Sequence, residues 1–391
     1  MCENSDWVPK NVGVLGATGT VGQRFIVLLS KHPFFKLTKL GASARSAGKK
    51  YLDCVKWKQS TPIPDHIKNI IVTECFPENF KGCDVIFSGL DAEVAGLIEL
   101  DFRGNEFCVF SNSKNHRRDP ACPLVVPLVN PSHLSIIPHQ RANHLHPVTK
   151  SPLPLKRGFI VTNANCSTTG LVVPLKALED SFGPLDKVIV TTLQAISGGG
   201  YPGVPSLDVL DNVVPFISGE EEKIEWESLK ILGTLDSDSN PTSIRLRSEE
   251  FYATSLNEHS ATATGPLKIS ATTTRVPVLD GHTGSVSVSF KNQPAPSVED
   301  CIKALQSYRS MPQILNCPSA PAHSIFVHDE DDRPQPRLDR YFQDGAGISV
   351  GRVRKCQVLD IKFIVLSNNV SIGAATSSIM NAEIAAAKGI V

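Results

Sequence analysis

The 391-residue chain has no apolar run approaching the roughly 20 residues that a membrane-spanning helix needs. Its first residues, MCENSDWVPK, offer neither a basic leader segment nor an apolar one, so no secretory signal is expected. Lys+Arg and Asp+Glu each number 39, a formal net charge of zero, which argues against nucleic acid or an anionic membrane as a bulk electrostatic partner. There is no CxxC pair, and hence no sign of a structural zinc site. The ten cysteines run from Cys2 to Cys356 without a repeating interval, unlike a disulfide framework. A reducing, cytoplasmic setting without metal is expected, with most thiols serving as small core residues. No segment repeats. What is present is a chain with 41% hydrophobic residues, long enough for two domains.

The N-terminal third alternates short apolar runs with helical patterns. NVGVLGA reads as a buried strand, TVGQRFIVLLSKH as a helix stopped by Pro33, and FKLTKLGAS as a second strand. CDVIFSGL and EFCVFSNS follow as strands around the helical AEVAGLIELDF. That rhythm predicts βαβ units and a parallel, doubly wound sheet. The proline-rich, basic stretch 141–158 reads as a surface insertion before the strand FIVTNA. From Leu267 the pattern changes: KISATTTRVPVL and TGSVSVSF alternate like half-buried strands around Asp280-Gly281, suggesting an antiparallel sheet in a second domain. HDEDDRPQPRLDR reads as an exposed loop, and the C-terminal NNVSIGAATSSIMNAEIAAAKG as a helix of small residues.

GVLGATGTVG places Gly13, Gly16, Gly19 and Gly22 three apart where the first strand meets the first helix. A dinucleotide pyrophosphate needs close backbone approach and free N–H groups at a helix N-terminus, which such glycines provide. The spacing departs from G-x-G-x-x-G, and Gly13 lies inside the strand. NAD sites carry an acidic residue about 20 positions on, for the ribose hydroxyl. Here the second strand runs into GASARSAGKK, where Ser43, Arg45 and Ser46 suit a 2′-phosphate, so NADP is the expected cofactor.

TNANCSTTG puts Cys166 between a strand and a long helix that continues past Pro174. A catalytic thiolate needs a lowered pKa, and a helix N-terminus helps to provide it. Ser167, Thr168 and Thr169 would cap the helix with their hydroxyls, and the first-turn amides would hold a developing oxyanion. Most cysteines are core residues; it is the strand-to-helix position that favours a nucleophile here.

Eight segments in order extend the case: GATGTVG, SNSKNHRRDP, PLVVPLVNP, NANCSTTG, LQAISGGGYPG, ISGEEEKIEWE, RVPVLDGHTGSV and NNVSIGAA. Together they resemble the archaeal and fungal branch of the aspartate-semialdehyde dehydrogenases. The resemblance makes Cys166 the nucleophile and His282 the general acid/base, with His259 in SLNEHSATAT as a rival on residue type alone. Arg275 shares a strand face with Ile269, Ala271 and Thr273, and its fork fits a carboxylate; the resemblance makes that the substrate's α-carboxylate. Glu220 and Lys223, one helical turn apart, are assigned to the substrate amino group and to phosphate, while Glu221, Glu222 and Glu225 read as an exposed helix face. Arg117 resembles a second phosphate ligand, with Arg118 as its adjacent rival and Lys114 and Asn115 assisting. Gln194 and Asn165 would position the substrate. Against the cofactor the resemblance sets Gly16, Thr18, Gly19, Thr20, Val21, Ser88, Ser197, Gly198 and Asn369, beside Ser43, Arg45 and Ser46. His139, His144 and His146 are too irregularly spaced for a metal site.

The fold implied is α/β: a Rossmann-like NADP-binding domain over 1–165, completed by 364–391, and an α+β catalytic and dimerisation domain over 166–363 with a mixed or antiparallel sheet. The activity implied is NADPH-dependent reductive dephosphorylation of L-4-aspartyl phosphate to L-aspartate 4-semialdehyde through a cysteine thioester, on the route to lysine, threonine and methionine. Inorganic phosphate is the co-substrate in reverse, and a homodimer or homotetramer is expected. N-acetyl-γ-glutamyl-phosphate reductase and archaeal malonyl-CoA reductases share the logic. A non-catalytic NADP-binding redox sensor is the alternative of another class, but it leaves Arg275 and His282 without purpose.

Overall fold

A computed structural model of the chain describes residues 7–145, 149–248 and 266–391. The first sheet is built from β1 (Lys10–Leu15), β2 (Phe35–Ala42), β3 (Thr73–Glu74), β4 (Val85–Ser88), β5 (Cys108–Ser111), β6 (Leu124–Val125) and β7 (Phe159–Asn163). Its order is β3-β2-β1-β4-β5-β7-β6, and every pairing is parallel. Both faces are covered, so β4, β5 and β7 read as unbroken apolar or small-residue runs, buried throughout. The strand order reverses between β1 and β4, and a crevice at the carboxyl ends of those strands is where such sheets bind ligands. The helix Thr376–Ala387 buries Ala382, Ala385, its serines and its isoleucines against this sheet. Asn381 there donates to the Asn163 side chain at 3.1 Å, fastening the C-terminal segment beside the end of β7.

β8 (Leu185–Gln194) opens a second sheet, β9 (Thr234–Leu235) and β10 (Ile244–Arg245) form a small antiparallel pair, and β11 (Lys268–Arg275), β12 (His282–Phe290), β13 (Ile325–Val327), β14 (Ile348–Lys355) and β15 (Ile361–Ser367) complete it. The order is β11-β8-β12-β15-β14-β13, with β11–β8 and β13–β14 parallel and the rest antiparallel. The sheet is therefore mixed. The two strands flanking Asp280-Gly281 do not pair with each other: β8 lies between them and bonds to both. Alternation reports that a strand is half-buried, not which strand is its neighbour.

One face of this sheet is packed by the helices Cys166–Phe182, Glu220–Ile231 and Val298–Ser307 around Leu171, Val190, Val286 and Phe363. Along β8 the opposite face is left uncovered by the described residues, in strict alternation, with Ile189 47% and Leu193 39% exposed. The chain crosses between sheets at Asn163–Cys166. It returns after Ser367 rather than at 364, because β15 stays paired with β12 to that residue.

Two loop expectations need amendment. Within HDEDDRPQPRLDR a short helix, Pro336–Asp339, buries Asp339, which accepts from Arg333 Nε at 2.7 Å and Gln335 N at 2.6 Å. In 141–158, residues 151–154 are exposed as expected, but Arg141 ties the base by donating to the carbonyls of Arg157 and Ile390, both at 3.0 Å. No helix among the described residues is long and apolar enough to cross a membrane.

Candidate active site

The glycine loop sits at the β1/β4 switch point. Gly16 has φ +71°, and a Cβ there would stand 2.6 Å from the Gly89 carbonyl oxygen, so the backbone passes where only glycine fits. Gly19 takes the cap position of the helix Thr20–Leu29, and no side chain among the described residues caps it. The first-turn amides, those of Thr20 and Val21 among them, are left for an anion. Gly13 has a different duty: its missing Cβ makes room for the Phe80 ring, 2.5 Å away. Two residues that sequence reasoning passed over hold the loop's shape. Tyr51 donates its hydroxyl to the Ala17 carbonyl at 2.8 Å, and Gln23 Nε2 donates to the Thr18 carbonyl at 2.9 Å. Ser43 and Arg45 are exposed on the turn after β2 and Ser46 half-exposed, with Lys49 donating to the Arg45 carbonyl at 2.8 Å. Ser88 is buried at the end of β4.

Cys166 is the first residue of the helix Cys166–Phe182. The cap is not the expected serine and threonine hydroxyls but Asn165, whose Oδ1 accepts from Ser167 N at 2.9 Å and Thr168 N at 3.2 Å. Thr169 Oγ1 instead donates back to the Asn165 carbonyl. Two of the amides expected to hold an oxyanion are thus already engaged. Cys166 Sγ lies 3.2 Å from His282 Nε2. On the other edge of the ring, His282 Nδ1 accepts from Ala195 N at 3.1 Å, which assigns the proton of the neutral imidazole to Nε2. The ring therefore presents an N–H to sulfur, the donor side of acid/base work.

Burial pushes the Cys166 thiol up to about 12, and the Glu220 carboxylate adds to this; Arg117, the Ser167 amide and Arg275 oppose it. Burial, with Arg275 adding, holds His282 down to about 3. The resting pair at neutral pH is thiol and neutral imidazole. Its closeness depends on glycine: a Cβ at Gly373 would stand 2.9 Å from Cys166 Cβ, and one at Gly198 3.2 Å from His282 Nε2.

A cavity of about 440 Å³ opens over the sulfur, lined by Lys114, Arg117, Asn165, Gln194, Gly198, Glu220, Lys223 and Arg275 among others. Arg275 keeps the expected face, buried with Ala271 and Thr273, and donates to the Ala195 carbonyl at 2.7 Å. Its register partner across β8 is Gln194, which is buried. Glu220 accepts from Lys223 Nζ at 2.9 Å and from the Asn165 side-chain amide. Arg117 is buried in the cavity wall, whereas Arg118 is exposed over the Trp226 ring, 4.7 Å from its centroid. Asn115 does not line the cavity; its Nδ2 donates to the Ala92 carbonyl at 2.9 Å. Asn369 bridges Gly281 N, at 2.8 Å, and Ser197 Oγ, at 2.9 Å, fixing the 196–200 turn beside the site.

The helix Glu220–Ile231 is less idle than its charge suggested. Glu221 and Glu225 accept from Thr273 N and Ala271 N, both at 3.0 Å, covering the open edge of β11. Glu227 and Lys230 are buried, and neither was singled out from the sequence. Their signal is the spacing of 220, 223, 227 and 230, one stripe of a helix. The rival His259 and also His146 lie outside the described residues; His139 bonds to Asn143 and His144 to Arg103, both at 3.1 Å.

This architecture recurs in known proteins. Residues 11–137 match the model of the semialdehyde dehydrogenase NAD binding domain, and 175–372 that of the semialdehyde dehydrogenase dimerisation domain. An aspartate-semialdehyde dehydrogenase of Cryptococcus neoformans is 58% identical, covering 97% of this chain and 98% of its own. That of Saccharomyces cerevisiae is 50% identical over 98% and 99%. A crystal structure of the Candida albicans enzyme with NADP superposes with a TM-score of 0.85 at 49% identity, over 98% of this chain and 100% of that one. With these matches over nearly its whole length, and with Cys166, His282 and the glycine loop placed as described, the chain belongs to the aspartate-semialdehyde dehydrogenase family.

Proposed function

We propose that the chain is an NADP-dependent, phosphorylating aspartate-semialdehyde dehydrogenase, reducing L-4-aspartyl phosphate to L-aspartate 4-semialdehyde on the route to lysine, threonine and methionine. One observation carries the reading: Cys166 Sγ and His282 Nε2 stand 3.2 Å apart beside a cavity that also holds Arg275, Glu220, Arg117 and Lys223. That set pairs a nucleophile with groups for an amino acid and for phosphate.

In this reading Arg275 takes the α-carboxylate bidentately and Glu220 the α-ammonium, with Gln194 and Asn165 orienting the acyl group. Cys166 Sγ attacks the acyl carbon as its thiol proton passes to the departing phosphate, while His282 Nε2–H stabilises the charge passing from sulfur to the carbonyl oxygen. The C–O bond to phosphate breaks, and phosphate departs toward Arg117, Lys223 and Lys114, leaving a thioester. The open helix N-terminus with Gly16, Thr18, Gly19, Thr20 and Val21 would hold the pyrophosphate, and Ser43, Arg45 and Ser46 the 2′-phosphate. Ser88, Ser197, Gly198 and Asn369 would border the rest of the cofactor. Bound NADPH supplies hydride in this direction. Collapse of the resulting tetrahedral species releases the aldehyde, and the sulfur takes up a proton from solvent to return to the thiol. The part of the second sheet's outer face that the described residues leave exposed, with Ile189 and Leu193 on β8, is where a second copy would pack, giving the homodimer or a tetramer of such pairs. A cytoplasmic location fits this chemistry and the nine free cysteines among the described residues.

The test is reduction of NADP by L-aspartate 4-semialdehyde, with and without inorganic phosphate, for the native protein and Cys166→Ser. Phosphate-dependent turnover lost in the variant is the expected result. Turnover indifferent to phosphate, or surviving the substitution, contradicts the proposal.

A further inference from the structure

We infer that Glu227 is a positioning residue that locks the phosphate-binding arginine, Arg117, to the helix carrying Cys166. The inference rests on the proposed function for the role of Arg117 and goes beyond it in naming what aims that side chain. Glu227 is 2% exposed, and each carboxylate oxygen has one donor. Oε1 accepts from Arg117 NH1 at 2.8 Å, and Oε2 accepts from Asn165 N at 2.6 Å. Asn165 is the residue whose side chain caps the Cys166 helix. One carboxylate therefore joins two chain segments 48 residues apart in sequence, Arg117 from the loop after β5 and Asn165 from the end of β7.

The same helix holds the backbone of that loop. Three residues on from Glu227, buried Lys230 donates to the carbonyls of Arg117, Asp119 and Cys122 at 2.8, 2.8 and 2.9 Å. Arg117 NH2 donates to the Asn112 carbonyl at 3.0 Å, while its buried Nε has no partner among the described residues. The guanidinium is thus gripped at two nitrogens and keeps unused N–H capacity beside the cavity. Lys223 and Glu220, one and two turns earlier on this stripe, reach the cavity directly. The helix presents substrate groups at its start and, further along, sets the arginine that would receive phosphate.

Arg117 and Asn165 bond to different oxygens, and a glutamine at 227 replaces one of them with a donor NH2, which would face an N–H donor at that position. Arg117 then loses its fixed angle, and a misplacement near 1 Å at a charge-binding group costs up to about 100-fold. A purely structural role would instead weaken everything the site does together.

The experiment compares native protein, Glu227→Gln, Glu227→Asp, Arg117→Ala and the Glu227→Gln/Arg117→Ala pair. With L-aspartate 4-semialdehyde, NADP and inorganic phosphate, Glu227→Gln is expected to raise KM for phosphate about 10- to 100-fold. KM for the semialdehyde should stay within about 3-fold, Glu227→Asp should recover part of the loss, and Glu227→Gln should add less than about 2-fold once Arg117 is alanine. A second readout needs no turnover: inorganic phosphate protecting Cys166 from iodoacetamide in the NADP-loaded protein, with half-protection shifted by the same factor in Glu227→Gln. An unchanged phosphate KM and protection, or both KM values rising together, overturns the inference. Should native protein not oxidise the semialdehyde while protection still shifts, the proposed function falls and the positioning role stands.

Discussion

Gly22→Ala offers a sharp perturbation of the cofactor loop. An added Cβ would stand 2.1 Å from the Gly16 carbonyl oxygen and 2.8 Å from Ala17 Cα. Both are backbone atoms, so no side chain can swing aside. Bringing the closer contact to an ordinary separation requires the helix Thr20–Leu29 and the 16–17 turn to part by roughly 1 Å. Overpacking of this size costs about 1–3 kcal/mol, below the 5–15 kcal/mol of a typical domain, so the protein should remain folded. The loop amides, however, would lose their alignment on a pyrophosphate, and NADPH affinity should fall by about 100-fold. Calorimetric titration of NADPH into native and variant protein measures this, with iodoacetamide labelling of Cys166 as a control expected to be unchanged. Native-like NADPH affinity in a folded Gly22→Ala protein would refute the placement of the cofactor on this turn.

Three further expectations concern charge and protonation. Glu99 is fully buried, and burial raises its carboxyl to about 7 despite the Ser111 hydroxyl bond of 2.6 Å. A raised folded pKa means stability that is present below the unfolded value and lost as pH rises through 7, on the order of 3 kcal/mol by pH 8. Glu99→Gln should therefore have a higher urea midpoint than native at pH 8 and match it at pH 5; a lower midpoint at pH 8 would contradict this. With its thiol near 12, Cys166 of the free protein should alkylate about tenfold faster per pH unit from 7 to 10, and a plateau near neutrality would refute the burial argument. Arg275→Lys loses the fork but not the charge, so KM for the semialdehyde should rise roughly 10- to 100-fold with kcat changed far less. An equal fall in kcat and kcat/KM would assign Arg275 to the transition state instead.

Local pattern carried much of the fold. The glycine loop, the βαβ rhythm, the thiol at a strand-to-helix junction and the Arg275 face all follow from spacing within one element, and each stands as read. What escaped the sequence depends on partners distant in the chain. β8 inserts between β11 and β12 from some 80 residues upstream, and nothing in the alternation of β11 or β12 announces it. Asn165 displaces the serine and threonine hydroxyls as cap because its backbone amide is held by Glu227, a contact made only in the folded chain. Glu227 and Lys230 sit in a helix polar enough to look solvated; they are buried because that helix lies against the loop of the other domain. The His282 tautomer likewise depends on Ala195, 87 residues earlier.

The claim at the centre of this account is a covalent acyl group on Cys166. Native protein mixed with NADP and L-aspartate 4-semialdehyde without phosphate, quenched in acid and digested, should yield the peptide containing Cys166 with the aspartyl acyl mass added, and phosphate added before the quench should discharge it. An unmodified Cys166 peptide under conditions where NADP is reduced, or the adduct on a different cysteine, would contradict it.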